Sequence, residues 1–399
     1  MIVATLIFLF LLTGLGYYFS RDLFAPFVIA PAVWGGILLL YLITPPHLFP
    51  IQNQYPICLV IWIFSFFIAS VLTTAYINDA SKWSQDAKPN KWIIYIYMTL
   101  SAIAMPIISF IYVKQAYLED PENLFRYLRT MSVGVDESIE KPNLGILNYI
   151  VTMCYIALFF ALIYFKNKKL IVLIFILNFI YVLVTMSKTS LLYVLLTPLF
   201  ILYHKQIIKK KHLLYSAVIF FLLTFVFQSL RMGSSDEGDL QTVETGDFLS
   251  MYLMTSGVAF DYYATPFSAP SFGANTFRFF YAIGYPLGIC EEPINTILPF
   301  VSVPEVVNTY TTLYPFYTDF GIIGIIVFAI IYGIGYGYLY KKAMTGSKIG
   351  LIMYAIFLTF LFLEFIGEFI FTNMSMQIQY IFYALLPFLF GERKNEKPI

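Results

Sequence analysis

Apolar runs of about twenty residues, separated by short polar breaks, recur along almost the whole chain. The first, MIVATLIFLFLLTGLGYYF, has neither a basic n-region nor a small-residue cleavage site, so it reads as a retained helix and not as a signal peptide. Further runs lie at about 24–44, closed by Pro45-Pro46, and at about 57–77, 92–113 and 145–165. A sixth and a seventh are squeezed between Lys169 and Lys209, with Ser187-Lys188-Thr189-Ser190 at their turn. The eighth covers about 213–230, and the last three about 320–340, 349–371 and 375–390. Continuous runs of this length predict membrane-crossing α-helices, whereas a β-barrel would alternate over segments of about ten residues. The expected fold is an all-α polytopic membrane protein with about eleven transmembrane helices.

Two polar segments stand out between these runs. The smaller, near 114–144, is mixed in charge and predicts a short surface helix around 124–128. The larger, 231–318, is rich in acids, Gly, Pro, Asn, Thr and Tyr and holds only two basic side chains, Arg231 and Arg278. Loops longer than about 15 residues are usually functional or disordered, and this one carries too many aromatics for disorder. It predicts a folded unit resting on a helical bundle. The chain thus divides into helices 1–8 (1–230), the large loop (231–318), and helices 9–11 with a polar tail (319–399).

Composition sharpens the class. The chain is 60% hydrophobic and 12% charged, about half the charge of a soluble domain. A net charge of +1 without a basic patch offers nothing to nucleic acid. With eleven spans, Lys114, Arg126, Arg129, Lys141, Lys188, Arg231 and Arg278 share one face, and the other 17 of the 24 Lys and Arg share the opposite one. The richer face is expected in the cytoplasm, which puts the N-terminus and the large loop outside and the C-terminus inside. Cys58, Cys154 and Cys290 are odd in number and far apart, and His47, His204 and His212 are scattered, so neither a disulfide framework nor a metal site is expected. No internal repeat is visible, which argues against an inverted-repeat transporter.

Candidate chemistry concentrates on charges at the outer edge. Lys188 sits at the tip of a hairpin that is short for two crossings, where a sunken charge needs a polar cavity or snorkels to the interface. Arg231 stands where the eighth span ends; its guanidinium can grip two phosphate oxygens, or can pair with Asp236 or Glu237 as an anchor. Arg278 lies in the aromatic stretch NTFRFFYAIGYPLG, expected in or near the interface. Among the acids, Asp319 is placed to cap the ninth span, a sufficient structural reason for it. Asp261, Glu291 and Glu292 are weaker candidates. Glu364 and Glu368, one turn apart in the tenth span, need a reason to be there and could face a cavity or pair with a loop arginine. Tyr and Phe, 73 residues from counts of 32 and 41, offer platforms for sugars, though lipid-facing and interfacial packing accounts for most of them.

With many spans, one large late loop, SKTS at an earlier hairpin and NTYTTLYPFYTDFGIIG entering a glycine-rich helix, the chain resembles the Wzy-type O-antigen and capsule polymerases. The most specific residues are Asn308-Thr309-Tyr310, Tyr317-Thr318-Asp319-Phe320-Gly321 and Gly324; the family often has Arg where this chain has Lys188. The resemblance implies a GT-C-like glycosyltransferase of a bacterial cytoplasmic (inner) membrane that needs no metal or other cofactor. It would join repeat units carried on undecaprenyl diphosphate, alongside a flippase and a chain-length regulator of the same pathway. Lys188, Arg231 and Arg278 would hold the diphosphate, Asn308, Tyr310 and Tyr317 the glycan, and Asp319 or Glu292 would accept the proton. An O-antigen ligase-like transferase, a transporter or flippase of lipid-linked sugars and a non-catalytic scaffold are the competing expectations.

Overall fold

The computed structural model describes residues 1–44, 47–77, 88–133, 142–232, 245–304 and 306–391. Among these described residues, eight helices are long and apolar enough to cross a membrane. They are α1 (Ile2–Ser20), α2 (Pro26–Ile43), α3 (Gln54–Tyr76), α4 (Lys91–Glu119), α6 (Leu147–Tyr164), α7 (Lys168–Thr185), α9 (Lys210–Met232) and α12 (Leu313–Met344). Three more, α8 (Lys188–His204), α13 (Lys348–Leu363) and α14 (Met374–Leu389), are apolar but shorter. Helices α5 (Leu124–Val133), α10 (Thr245–Tyr263) and α11 (Arg278–Gly284) and a small hairpin, β1 (Val301–Ser302) with β2 (Val306–Val307), complete the described elements. The chain is a mostly helical membrane protein.

Outward apolar side chains make this surface fit for lipid. Leu11, Ile43, Phe110 and Ile323 are each about two-thirds exposed, and many other apolar side chains are exposed with them, whereas a soluble protein rarely exposes extended apolar patches. Polar caps mark where several helices begin. Asn90 accepts from Trp92 N, Asn167 from Lys169 N, Ser187 from Ser190 N and Ser347 from Gly350 N, each supplying an acceptor to an otherwise orphaned N–H.

The helices sort into two compact units, neither continuous in sequence. The first comprises described residues within 1–84, 242–350 and 360–377, the second those within 85–241, 351–359 and 378–399. In the second, α4, α6, α7, α8 and α9 pack as successive neighbours, with α5 laid against α4, α7 and α9. In the first, the dominant contact is α3 against α12. Gly333 and Gly337 of α12, four residues apart, allow it: a Cβ there would lie 2.6 Å from Phe66 O or 2.7 Å from Ser70 O. Small residues at this spacing let two backbones meet closely in a membrane.

The structure departs from the pattern-based reading at four places. The large segment 231–318 contains α10, a 19-residue helix whose Val258, Ala259 and Phe260 are fully buried. The turn between α7 and α8 is Met186-Ser187 alone, with Met186 left-handed, so Lys188–Ser190 belong to the first helical turn of α8. The two helices, 18 and 17 residues long, each extend about 26–27 Å at 1.5 Å per residue, so the hairpin is less compressed than a four-residue turn implies. The helix expected over 349–371 ends at Leu363, because the Glu368 carboxylate takes the N–H groups of residues 370–372 and offers the backbone another partner. Helix α12 begins earlier than 320 but breaks at Gly321, with φ 63° and ψ −151°.

That backbone conformation is reserved for glycine, and a side chain forced into it costs about 1–3 kcal/mol. An added Cβ would also meet the Phe267 ring at 2.9 Å. Gly321→Ala is therefore expected to lower the apparent Tm of the detergent-solubilised protein, whereas Gly335→Ala, where no atom lies within 4 Å of the added carbon, should leave it unchanged or raised. An unchanged Tm in Gly321→Ala would show that the break in α12 is not fixed.

Candidate functional site

Within the segment from Ser271 to Asp319, one carboxylate and one guanidinium bind backbone. Asp319 ends the first part of α12, just before the break at Gly321, and is 7% exposed. Its Oδ1 accepts from Asn275 Nδ2 (2.8 Å) and Asn275 N (3.3 Å), and its Oδ2 accepts from Thr276 N (2.7 Å). Asp319 thus caps, as an Asp is suited to do, but it caps the turn before α11 and not the N-terminus of its own helix. Two residues on, Arg278 opens α11 and its Nε donates to Ile294 O at 2.6 Å. Among the described residues the Nη hydrogens have no protein partner, which leaves the outer fork of the guanidinium for an anion. Burial lowers the Arg278 pKa from its ordinary value, yet arginine remains a cation.

Glu291 and Glu292 are exposed on the loop that Arg278 fastens at Ile294. Asp319, Arg278 and the Glu292 loop are therefore joined by successive backbone tethers. Around them Phe267, Phe272, Phe280, Leu287 and Ile289 are 55–80% exposed. Such a set of apolar side chains beside a cation suits the boundary between lipid and water.

The expected glycan contacts are set differently. Tyr310 is 3% exposed, stacks on Tyr314 at 4.4 Å and donates its hydroxyl to Pro299 O at 3.1 Å. Burial, with Tyr314 and Tyr263 nearby, pushes its phenol up to about 12. Tyr317 is 8% exposed and its ring packs on Phe260 at 5.4 Å. Asn308 is half-buried, beside Thr309, whose hydroxyl meets Ser256 Oγ at 2.9 Å. Both tyrosine rings thus serve packing in this conformation.

Lys188 and Arg231 lie in the second unit. Lys188 is half-buried in the first turn of α8. Arg231 is in the last turn of α9, and its side chain lies outside the described residues, as do Asp236 and Glu237.

Three buried acids do work that patterning did not assign. Asp261 of α10 accepts from Tyr55 N (2.8 Å) and from Gln52 N, capping α3 from another helix. Burial pushes its carboxyl above the ordinary value, against backbone N–H groups that pull it down. Glu364 accepts the indole N–H of Trp34 and of Trp62, and Glu368 accepts from Tyr332 Oη and three backbone N–H groups. Neither pairs with a loop arginine among the described residues. The only signal in the sequence was the presence of acids in an apolar run, since the partners of Glu364 lie 330 and 302 residues away. Comparison with protein-family models, with curated proteins and with solved structures gives no match.

Proposed function

We propose that the chain is a membrane glycosyltransferase that polymerises oligosaccharide repeat units carried on undecaprenyl diphosphate. The observation that carries the reading is the segment from Asn308 to Gly324. It has the Wzy-type pattern NTYTTLYPFYTDFGIIG, and its Asp319 tethers the turn that launches Arg278, a cation with an open fork. In the reaction the bond between the anomeric carbon and the diphosphate oxygen breaks. A hydroxyl at the non-reducing end of a new lipid-linked repeat forms the new bond, with inversion, and its proton passes to a carboxylate, for which exposed Glu292 is better disposed than Asp319. Arg278 would offset charge on the departing diphosphate. On this reading α8, α13 and α14 join the eight longer helices as membrane crossings in a GT-C-like arrangement. The uneven distribution of Lys and Arg between the loops supports this reading, in which 231–318 lies outside a bacterial cytoplasmic membrane.

A transfer of the finished glycan to another acceptor, as in O-antigen ligases, uses the same donor and is the second reading. Gel analysis of surface polysaccharide separates the two. A strain lacking the chain should carry single-repeat caps where the parent shows a ladder, restored by the full-length gene. Undecaprenyl-linked ladders that accumulate without reaching the surface would mean ligation, and an unchanged ladder would remove the chain from glycan assembly.

A further inference from the structure

Glu364 and Glu368 follow the end of α13 at Leu363, at 3% and 7% exposure, yet their hydrogen bonding differs. Glu368 is surrounded by donors: Tyr332 Oη, Ile370 N (2.6 Å) and Phe371 N (2.9 Å) reach Oε1, and Thr372 N (2.7 Å) reaches Oε2. Four donors suit an ionised carboxylate, which only accepts. On Glu364 both donors converge on one oxygen. The indole N–H groups of Trp34 (3.3 Å) and Trp62 (3.2 Å) meet Oε2, while Oε1 is buried with no hydrogen-bond partner.

The titratable groups facing Glu364 are Glu368 on its own segment and Tyr332 and Tyr336 from α12; α2 and α3 present the two tryptophans. Among the described residues no lysine or arginine pairs with either carboxyl. Two like charges at this spacing in an apolar unit oppose each other, and each loses its hydration. One proton removes the conflict, and it goes to the carboxyl with fewer donors. We propose that Glu364 is a proton-binding site, its carboxyl holding a proton on Oε1 at neutral pH. This gives the first unit a buried acid that can store and release one proton, a property that needs no assumption about glycan transfer.

A hydrophobic carbodiimide tests it on the purified full-length protein in detergent. The reagent adds across the O–H of an undissociated acid in apolar surroundings and rearranges to an N-acylurea without a leaving group, so peptide mass spectrometry locates it. The expected label lies on Glu364 at pH 7, declines as pH rises and is absent from Glu364→Gln, with none on Glu368. Label on Glu368 instead, or protection of Glu364 by sodium at fixed pH, would overturn the proposal, the latter in favour of a metal-cation site. Where the reagent labels neither acid, thermal unfolding decides. Glu364→Gln reproduces the neutral acid and should unfold at the wild-type temperature, whereas a fall as large as that of Glu368→Gln would overturn the assignment.

Discussion

Glu368→Ala is expected to cost the first unit about 3–5 kcal/mol and to leave little folded protein after extraction in detergent. The estimate follows from the groups that the carboxylate satisfies. Three backbone N–H groups at residues 370–372 and the Tyr332 hydroxyl all point at it. An N–H left without a buried acceptor costs about 1–3 kcal/mol, with the lower end fitting residues that are only half-buried, as 370–372 are. The same carboxylate is what stops α13 from continuing, so its loss also frees the segment that carries Phe371, whose ring packs between Phe328 and Tyr332. Glu368→Gln keeps one acceptor oxygen but turns an N–H₂ toward a donor, and should recover less than half of the loss. Fluorescence-detected size-exclusion after a heat step measures both. A Gln variant with wild-type stability would mean that Glu368 is held for chemistry and not for the fold.

How much of this was legible in the sequence depends on how far each element's partners lie along the chain. Helices α1, α2 and α3 follow from continuous apolar runs because lipid rewards each residue locally, and their observed ends lie within a few residues of the pattern. The end of α13 was not legible. The run 349–371 stays apolar past Leu363, and what terminates the helix is a hydrogen-bonding choice by one side chain. Helix α10 was hidden for a related reason. Its sequence, TGDFLSMYLMTSGVAFDYY, is too polar to read as a span, yet Phe260 is fully buried, with Tyr55 on one side and Tyr317 on the other. At the candidate site, the sequence singled out Asp319 and Arg278 by residue type and position. It could not supply the link between them, because Asp319 acts on Asn275 and Thr276, 44 and 43 residues earlier.

That link makes Asp319 the sharpest discriminator between catalysis and positioning. As a tether, Asp319 holds two backbone N–H groups and the Asn275 amide, and Thr276 is fully buried. Asp319→Ala removes every acceptor and should cost about 3 kcal/mol or more, chiefly from the two backbone N–H groups left unsatisfied at about 1–3 kcal/mol each, since the Asn275 amide keeps Thr318 Oγ1 as a partner. Asp319→Asn keeps one oxygen and opposes one donor with its own N–H₂, so about half of that loss is expected. Asn275→Ala deletes a single side-chain donor and should cost about 1 kcal/mol. Polymer length should follow the same order, because each step loosens the turn from which Arg278 starts α11. A proton acceptor behaves otherwise: Asp319→Asn would then unfold at the wild-type temperature, insert normally and make no long chains, while Asn275→Ala would be silent. Thermal unfolding and polysaccharide gels on the three variants, at matched membrane abundance, give the answer. A graded loss of stability together with chain length assigns Asp319 to positioning, and loss of polymer in a fully stable Asn variant returns it to the chemistry.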